Sequence, residues 1–224
     1  CTHRLGAYIA GTMMDRCVGA TSDTPGDVGA FGLLYLGGRK DPFMGSSSLS
    51  TSTIAVSTGT WKEVSGSDYN KMSYAEENPT TFIKTNWTGG NVPGFAWHTS
   101  ESEKGLYDPC PVGYRVPDGG ENGFWATVDV EIKSYNYGLT STLADGVTTA
   151  WYPFAGKRQG NGQLMQVGSY GYLYTASIVG VNSNAKEGFA SYVQLDGLAN
   201  YRNSFNQSGS GSKTEGYSIR CIKE

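Results

Sequence analysis

The sequence predicts an α+β domain of short strands, one or two helices and long loops. Three observations carry that expectation. Glycine makes up 32 of the 224 residues, about twice the usual ~7%, and it follows no collagen-like period, so turns are frequent and there is little room for long helices. Short runs of β-branched and aromatic residues recur, separated by Gly, Asn and Ser clusters. One stretch, "TPGDVGAFGLLYLGGRK", carries a clear helix start. Only 38% of residues are apolar, but 15 Tyr and 5 Trp offer large areas for burial.

Taken in order, residues 1–20 read as extended chain, with "LGAYIAG" setting β-type residues between glycines. In the next stretch Thr24 can cap a helix, Pro25 suits its first position and Asp27 suits the positive end of its dipole. Ala30, Leu33 and Leu34 fall at helical spacing, and Gly37-Gly38 ends the run. A second helix is expected from Glu121 to Val128, behind Asp118. Strands are expected at 51–56, 126–133, 148–154, 170–177, 189–195 and 216–222. Residues 57–115 show little periodicity, and so long an irregular span is uncommon unless functional or pinned. No charged linker divides the chain, so residues 1–224 are read as one domain.

The charge pattern excludes some partners. The formal net charge is -3, charged residues are 17%, and no basic run exceeds two residues, which leaves no phosphate-tracking surface for nucleic acid. No segment approaches the ~20 apolar residues of a membrane-spanning helix. A chain opening at Cys1 fits a processed protein, and a mature bacterial lipoprotein begins this way.

Four cysteines, Cys1, Cys17, Cys110 and Cys221, lie too far apart for a CxxC motif. With two histidines, His3 and His98, the chain is poorly equipped for tetrahedral zinc. An even cysteine count in a loop-rich chain points to disulfides and an oxidising compartment. Of the three connectivities, Cys110–Cys221 with Cys1–Cys17 is favoured, the first tying the irregular middle to the last strand; free buried thiols are the alternative.

Other chemistry finds little purchase. His98 could activate Cys110 as a nucleophile, but no orienting motif accompanies the pair. No GxSxG elbow occurs. Asp129 and Glu131 share one face of a strand, as a solvated face would have it. Arg39 and Lys40 in "GRKDPF" could hold an anion, although a buried bridge or turn contact through Arg39 or Asp41 is the simpler reading. Phe124, Trp125 and Trp151 read first as core and second as sugar platforms.

Three blocks point further: "MMDRCVGATSDTPGDVGAFGLLYLGGRKDPF" (13–43), "YDPCPVGYRVP" (107–117) and "GYSIRCIKE" (216–224). Together they resemble the Fibrobacter succinogenes major paralogous domain, found in Bacteroidetes surface and fimbrillin-associated proteins. The resemblance runs from residue 13 to the C-terminus. It implies a C-type-lectin-like fold, related to the formylglycine-generating-enzyme architecture, whose termini meet in a small sheet. It also implies a secreted or outer-surface binding or adhesive module, without enzymatic activity and without a cofactor. The close cysteine pair of the formylglycine-generating enzymes has no counterpart between Cys110 and Cys221.

Two departures stand out. Cys17-Val18 replaces the family's Asn-Leu, consistent with a private bridge to Cys1, and Leu36-Gly37 replaces its Gln-Trp. Sugar-binding C-type lectins carry calcium motifs. Here only "VPD" at 116–118 is present, with Asp118, Glu121 and Asn122 as possible oxygen donors or, more simply, as a polar turn.

Some relatives of this fold are varied by diversity-generating retroelements on a C-terminal face. The corresponding segment here is rich in Tyr, Asn and Ser, a paratope-like composition. Ligand contacts are therefore expected at Tyr172, Tyr174, Asn182, Asn184, Tyr192, Tyr201, Asn203 and Phe205. The expected partner is a host or bacterial surface protein or glycan. The alternative is a structural subunit of a pilus or other surface assembly.

Overall fold

The computed structural model describes residues 3–4, 12–49, 62–64, 71–83, 97, 103–119, 131–142, 149–160, 162–181, 188–196, 205–211 and 214–224. These residues are mostly sheet, with one short α-helix, one 3-10 turn and one disulfide, an arrangement compatible with the α+β class. The largest sheet runs in the order Leu164–Met165, Lys157–Arg158, Gly216–Ser218, Tyr170–Val181, Gly188–Asp196, Phe205–Gly211. Leu34–Leu36 joins it along Gly216–Ser218 and in turn carries Pro42–Phe43. Its central strand, "YGYLYTASIVGV", is almost wholly aromatic, β-branched or small, the composition that suits a pleated, packed surface.

A four-stranded sheet joins the two ends of the chain. His3–Arg4 pairs with Thr12–Met13, which pairs with Ile222–Lys223, which pairs with Tyr114–Arg115. A three-stranded meander, Glu131–Ser134, Gly138–Thr142 and Thr149–Pro153, is fully antiparallel. Lys62–Val64 and Thr81–Ile83 form a parallel pair. Apolar side chains gather in several clusters. One sets Met13, Cys17, Leu139, Tyr152, Leu173 and Ile222 together, and so packs the meander against the end-joining sheet. Another sets Trp97, Cys110, Val116, Tyr174 and Cys221 together. Among the described residues no helix is long and apolar enough to cross a membrane.

The strands expected at 148–154, 170–177 and 189–195 form, as Thr149–Pro153, Tyr170–Val181 and Gly188–Asp196. That expected at 126–133 is described only from Glu131, and 51–56 lies outside the described residues. The run 216–222 splits between two sheets, Gly216–Ser218 and Ile222–Lys223, with Arg220 in the break.

The helix expected from Thr24 to Gly37 is corrected. Only Val28–Ala30 turns, as a 3-10 helix, and its cap is Asp27, whose carboxylate accepts from the Gly29 amide at 3.1 Å. Gly32 then adopts φ +73°, where an added Cβ would lie 2.8 Å from the Val18 carbonyl oxygen. That left-handed residue ends any helix. Leu34, Tyr35 and Leu36 follow at 0%, 3% and 0% exposure as a strand flanked on both sides, so burial on both faces overrides the helical spacing. The α-helix that does form, Met72–Glu77, falls in the span read as irregular, and the helix expected at 121–128 lies outside the described residues.

Candidate functional site

The loop carrying Cys110 is fixed from several directions. Cys110 is bonded to Cys221, 111 residues later, with Cα atoms 5.9 Å apart. Asp108 is buried. Its Oδ1 accepts from the Cys110 amide at 2.7 Å and its Oδ2 from the Val116 amide at 2.8 Å. Lys104 Nζ lies 3.7 Å from Asp108 and donates to the carbonyl oxygens of Cys110, Pro111 (2.9 Å) and Tyr114 (2.6 Å). Burial raises the Asp108 pKa despite these bonds. A disulfide sulfur is no thiolate, so Cys110 serves as a staple and not as a nucleophile.

The charged residues of the other blocks are used in the same way. Arg39 and Arg220 are both buried. Arg39 Nε pairs with Asp41 at 2.7 Å, while its Nη atoms donate to the carbonyls of Thr81 (2.6 Å) and Asn78 (2.9 Å), just past the helix Met72–Glu77. Its own carbonyl accepts from Trp97 Nε1 at 3.2 Å. The "GRKDPF" stretch is thus an internal bridge, which leaves the Arg39 guanidinium no place in an anion site. Arg220 donates to the carbonyls of Met14 (2.8 Å), Trp151 (2.7 Å) and Asp15, and lies 4.3 Å from the centre of the Tyr152 ring. Buried guanidinium groups are tolerable only when satisfied in this manner.

Cys17 corrects the second expected bridge. It is a free thiol, 1% exposed, in the cluster with Met13, Tyr152 and Ile222. Burial pushes its pKa up to about 11, against the pull of Arg220. The Cys1–Cys17 disulfide is therefore not formed, because Cys17 occupies a core position as a small hydrophobe. Cys1 lies outside the described residues.

Two of the expected ligand contacts are also corrected. Tyr172 and Tyr174 are 5% and 0% exposed. The Tyr172 hydroxyl donates to Gln166 Oε1 at 2.6 Å and that of Tyr174 to the Glu215 carbonyl at 2.7 Å. Tyr172 stacks on Tyr217 at 5.1 Å, and Trp97 meets Tyr174 edge-on at 5.2 Å. Both tyrosines are core, held by a central strand with neighbours on each side. Tyr192 and Phe205 are described as positions in strands Gly188–Asp196 and Phe205–Gly211. Asn182, Asn184, Tyr201 and Asn203 lie outside the described residues, as do His98, Glu121, Asn122, Phe124, Trp125 and Asp129. Asp118 pairs with Arg115 at 3.0 Å.

The sequence reading missed an exposed aromatic turn. Strands Glu131–Ser134 and Gly138–Thr142 are joined through Tyr135, Asn136 and Tyr137. Tyr135 and Tyr137 are 53% and 46% exposed. Asn136 and Tyr137 have φ of 45° and 57°, the primed-turn geometry that matches strand twist and favours Asn then Gly. Tyr in that second position is strained. The turn is nonetheless closely held. The Tyr135 amide bonds the Gly138 carbonyl at 2.8 Å, Trp151 Nε1 bonds the Tyr135 carbonyl at 2.9 Å, and the Phe154 amide bonds the Tyr137 carbonyl at 2.8 Å. Gly138 permits this closeness, since a Cβ there would lie 2.4 Å from Trp151 Nε1. The spacing Asn136-Tyr137-Gly138 between β-type residues was the available signal.

Comparison with protein-family models, with curated proteins and with solved structures finds no match to this chain.

Proposed function

We propose that the chain is a C-type-lectin-like binding module of a cell surface or secreted protein, and that it carries out no chemical step. The resemblance of the three blocks suggests this class. Their placement supports it: the first and last described strands share one sheet, and the middle block is bonded to the terminal one. A lasting disulfide fits an oxidising compartment.

The observation that carries a binding role is the turn at residues 135–138. Two large aromatic rings are held in solvent on a rigid support, and one of them, Tyr137, sits at a backbone position that glycine would occupy with less strain. Strain retained at an exposed aromatic motivates a functional reading. Rigid tyrosines give contact area at low entropic cost. The ligand contacts proposed from this turn are Tyr135 and Tyr137. The ligand class is a surface glycan or protein.

The test is binding of the purified chain to an immobilised panel of host and bacterial glycans and matrix proteins. The double variant Tyr135→Ala/Tyr137→Ala should lose binding at least tenfold while its melting temperature stays within a few degrees of wild type. Wild-type binding by that variant would remove the turn from the site. No binding by the unmodified chain to any member of the panel would count against the module itself.

A further inference from the structure

The turn at 135–138 rests on a second exposed segment. Asn136 Nδ2 donates to the Pro25 carbonyl at 3.5 Å, and a Cβ on Gly26 would lie 3.0 Å from the Asn136 Cβ. Asp27 follows Gly26 and Tyr137 follows Asn136. Their Cα atoms are therefore no more than about 14 Å apart, within the joint reach of a tyrosine ring and a long side chain on a ligand. The segment is acidic: between residues 15 and 29, Asp15, Asp23 and Asp27 stand against Arg16 alone. Arg16 is held by Asp15 at 2.7 Å, with Asp23 farther off at 3.9 Å. The Asp23 side chain is 75% exposed, and Asp27 is exposed as well. Hydrogen bonds from Ser22 and then from the Gly29 amide hold the Asp27 carboxyl below the usual carboxylate range, so it stays charged. The strand leading into the turn, Glu131–Ser134, brings one Glu and one Lys, whose charges cancel.

We infer that the tyrosine turn and the segment 23–27 together take an arginine side chain of a partner protein. This rests on the binding role proposed for Tyr135 and Tyr137 and names its ligand more narrowly. The face of a tyrosine ring attracts a cation. A planar guanidinium stacks on such a ring while its fork of N–H groups reaches a carboxylate. A lysine ammonium is a strongly hydrated point charge and does only the second well. Both kinds of group are exposed here, two rings and two carboxylates, and they meet where Asn136 touches Pro25 and Gly26. A neutral sugar would stack on the rings but bring no opposite charge to Asp23 and Asp27. An acidic ligand would be repelled by them.

The test is fluorescence anisotropy with labelled peptides of one length, in which arginine, lysine or citrulline alternates with glycine. Citrulline keeps the shape of arginine without its charge. The purified chain should bind the arginine peptide, the lysine peptide several-fold more weakly and the citrulline peptide at least tenfold more weakly. Binding of the arginine peptide should weaken as salt rises from ~0.05 M to ~0.5 M. Asp23→Asn/Asp27→Asn keeps a capping acceptor at 27. It should bind the arginine peptide at least tenfold more weakly, with a melting temperature within a few degrees of wild type. Asp23→Asn alone should lose several-fold. The inference is overturned if the wild-type chain does not bind the arginine peptide, if it binds the citrulline peptide equally, or if both aspartate variants bind as wild type does. Should the wild-type chain then bind a neutral glycan or a non-basic protein through Tyr135 and Tyr137, the binding role of the turn stands without the inference. Binding of the arginine peptide that Tyr135→Ala/Tyr137→Ala leaves unchanged overturns both.

Discussion

The tied loop at 104–117 and the turn at 135–138 are both rigid, but they are rigid for opposite ends. In the first, the polar groups converge inward: Asp108 and Lys104 close the loop on itself, and Cys110 fastens it to Cys221. In the second, the backbone is held from beneath by Trp151 and Phe154, and two aromatic rings face outward. The first region carries the most motif-like residues of the chain and builds scaffold with them. The second carries no motif, and its tyrosines are free to make contacts. A sequence motif in this protein therefore marks what holds the fold, and the candidate contacts lie where the pattern is plain.

The comparison breaks if the tie can be removed cheaply. Replacing both Cys110 and Cys221 by alanine opens a loop of 111 residues, for which the chain-entropy argument gives a loss of roughly 4 to 5 kcal/mol. Denaturant unfolding with and without reductant measures it, and equal midpoints would show that the bond constrains little. The same samples give the thiol count. Cys17 should resist a thiol reagent in the native protein and react once the chain is unfolded without reductant, since its pKa of about 11 and its burial both suppress thiolate. Failure to react after unfolding would restore the Cys1–Cys17 bridge.

Arg220→Met tests the tied region without touching sulfur. It leaves the carbonyls of Met14, Asp15 and Trp151 without this donor and should cost about 3 kcal/mol, because buried acceptors lose their compensation. With the 2–4 °C per kcal/mol usual for a domain of this size, that is a fall of roughly 10 °C in melting temperature. A smaller loss than that of an exposed substitution would mean that water replaces the guanidinium.

How much of this was legible follows from the same contrast. The Cys110–Cys221 bond could be argued from spacing and context, and the strands Thr149–Pro153, Tyr170–Val181 and Gly188–Asp196 from their β-branched and aromatic runs. The 24–37 helix misled because Ala30, Leu33 and Leu34 match a helical face and a doubly buried strand equally well, and only the neighbouring strands decide between them. Met72–Glu77 is six residues long with no side-chain cap at Lys71, so it left little trace. The tyrosine composition of the last third could not say which rings face inward. Tyr172 and Tyr174 are covered by Tyr217 and Trp97, partners distant in sequence.

Tyr137→Gly sharpens the other side of the comparison. The left-handed backbone at φ 57° costs an ordinary L-residue about 1 kcal/mol, which glycine largely avoids. The variant should therefore unfold at the same or a slightly higher temperature, by up to ~1 kcal/mol, while binding to the panel weakens. A loss of stability would show that the Tyr137 ring supports the fold and would return the turn to the scaffold.

The smallest effect expected is a pH dependence on the scaffold side, at Asp15, whose carbonyl Arg220 holds. Asp15 is held down to a pKa of about 2, first by its hydrogen bond with Arg16 and then by that residue's charge, against a value of 3.8 without them. A folded-state pKa below the unfolded one stabilises the protein above the unfolded value and ceases to do so as pH falls through the folded one. The contribution is thus present above about pH 4 and fades towards pH 2. It is modest, because the pair is partly exposed and screened. Asp108 acts in the opposite sense: burial raises its pKa, so acidification relieves a cost. Comparing wild type with Asp15→Asn cancels that shared term. Melting temperatures across this range should fall more steeply for wild type than for the variant. Parallel curves would mean that the Asp15–Arg16 pair is equally made in the unfolded chain.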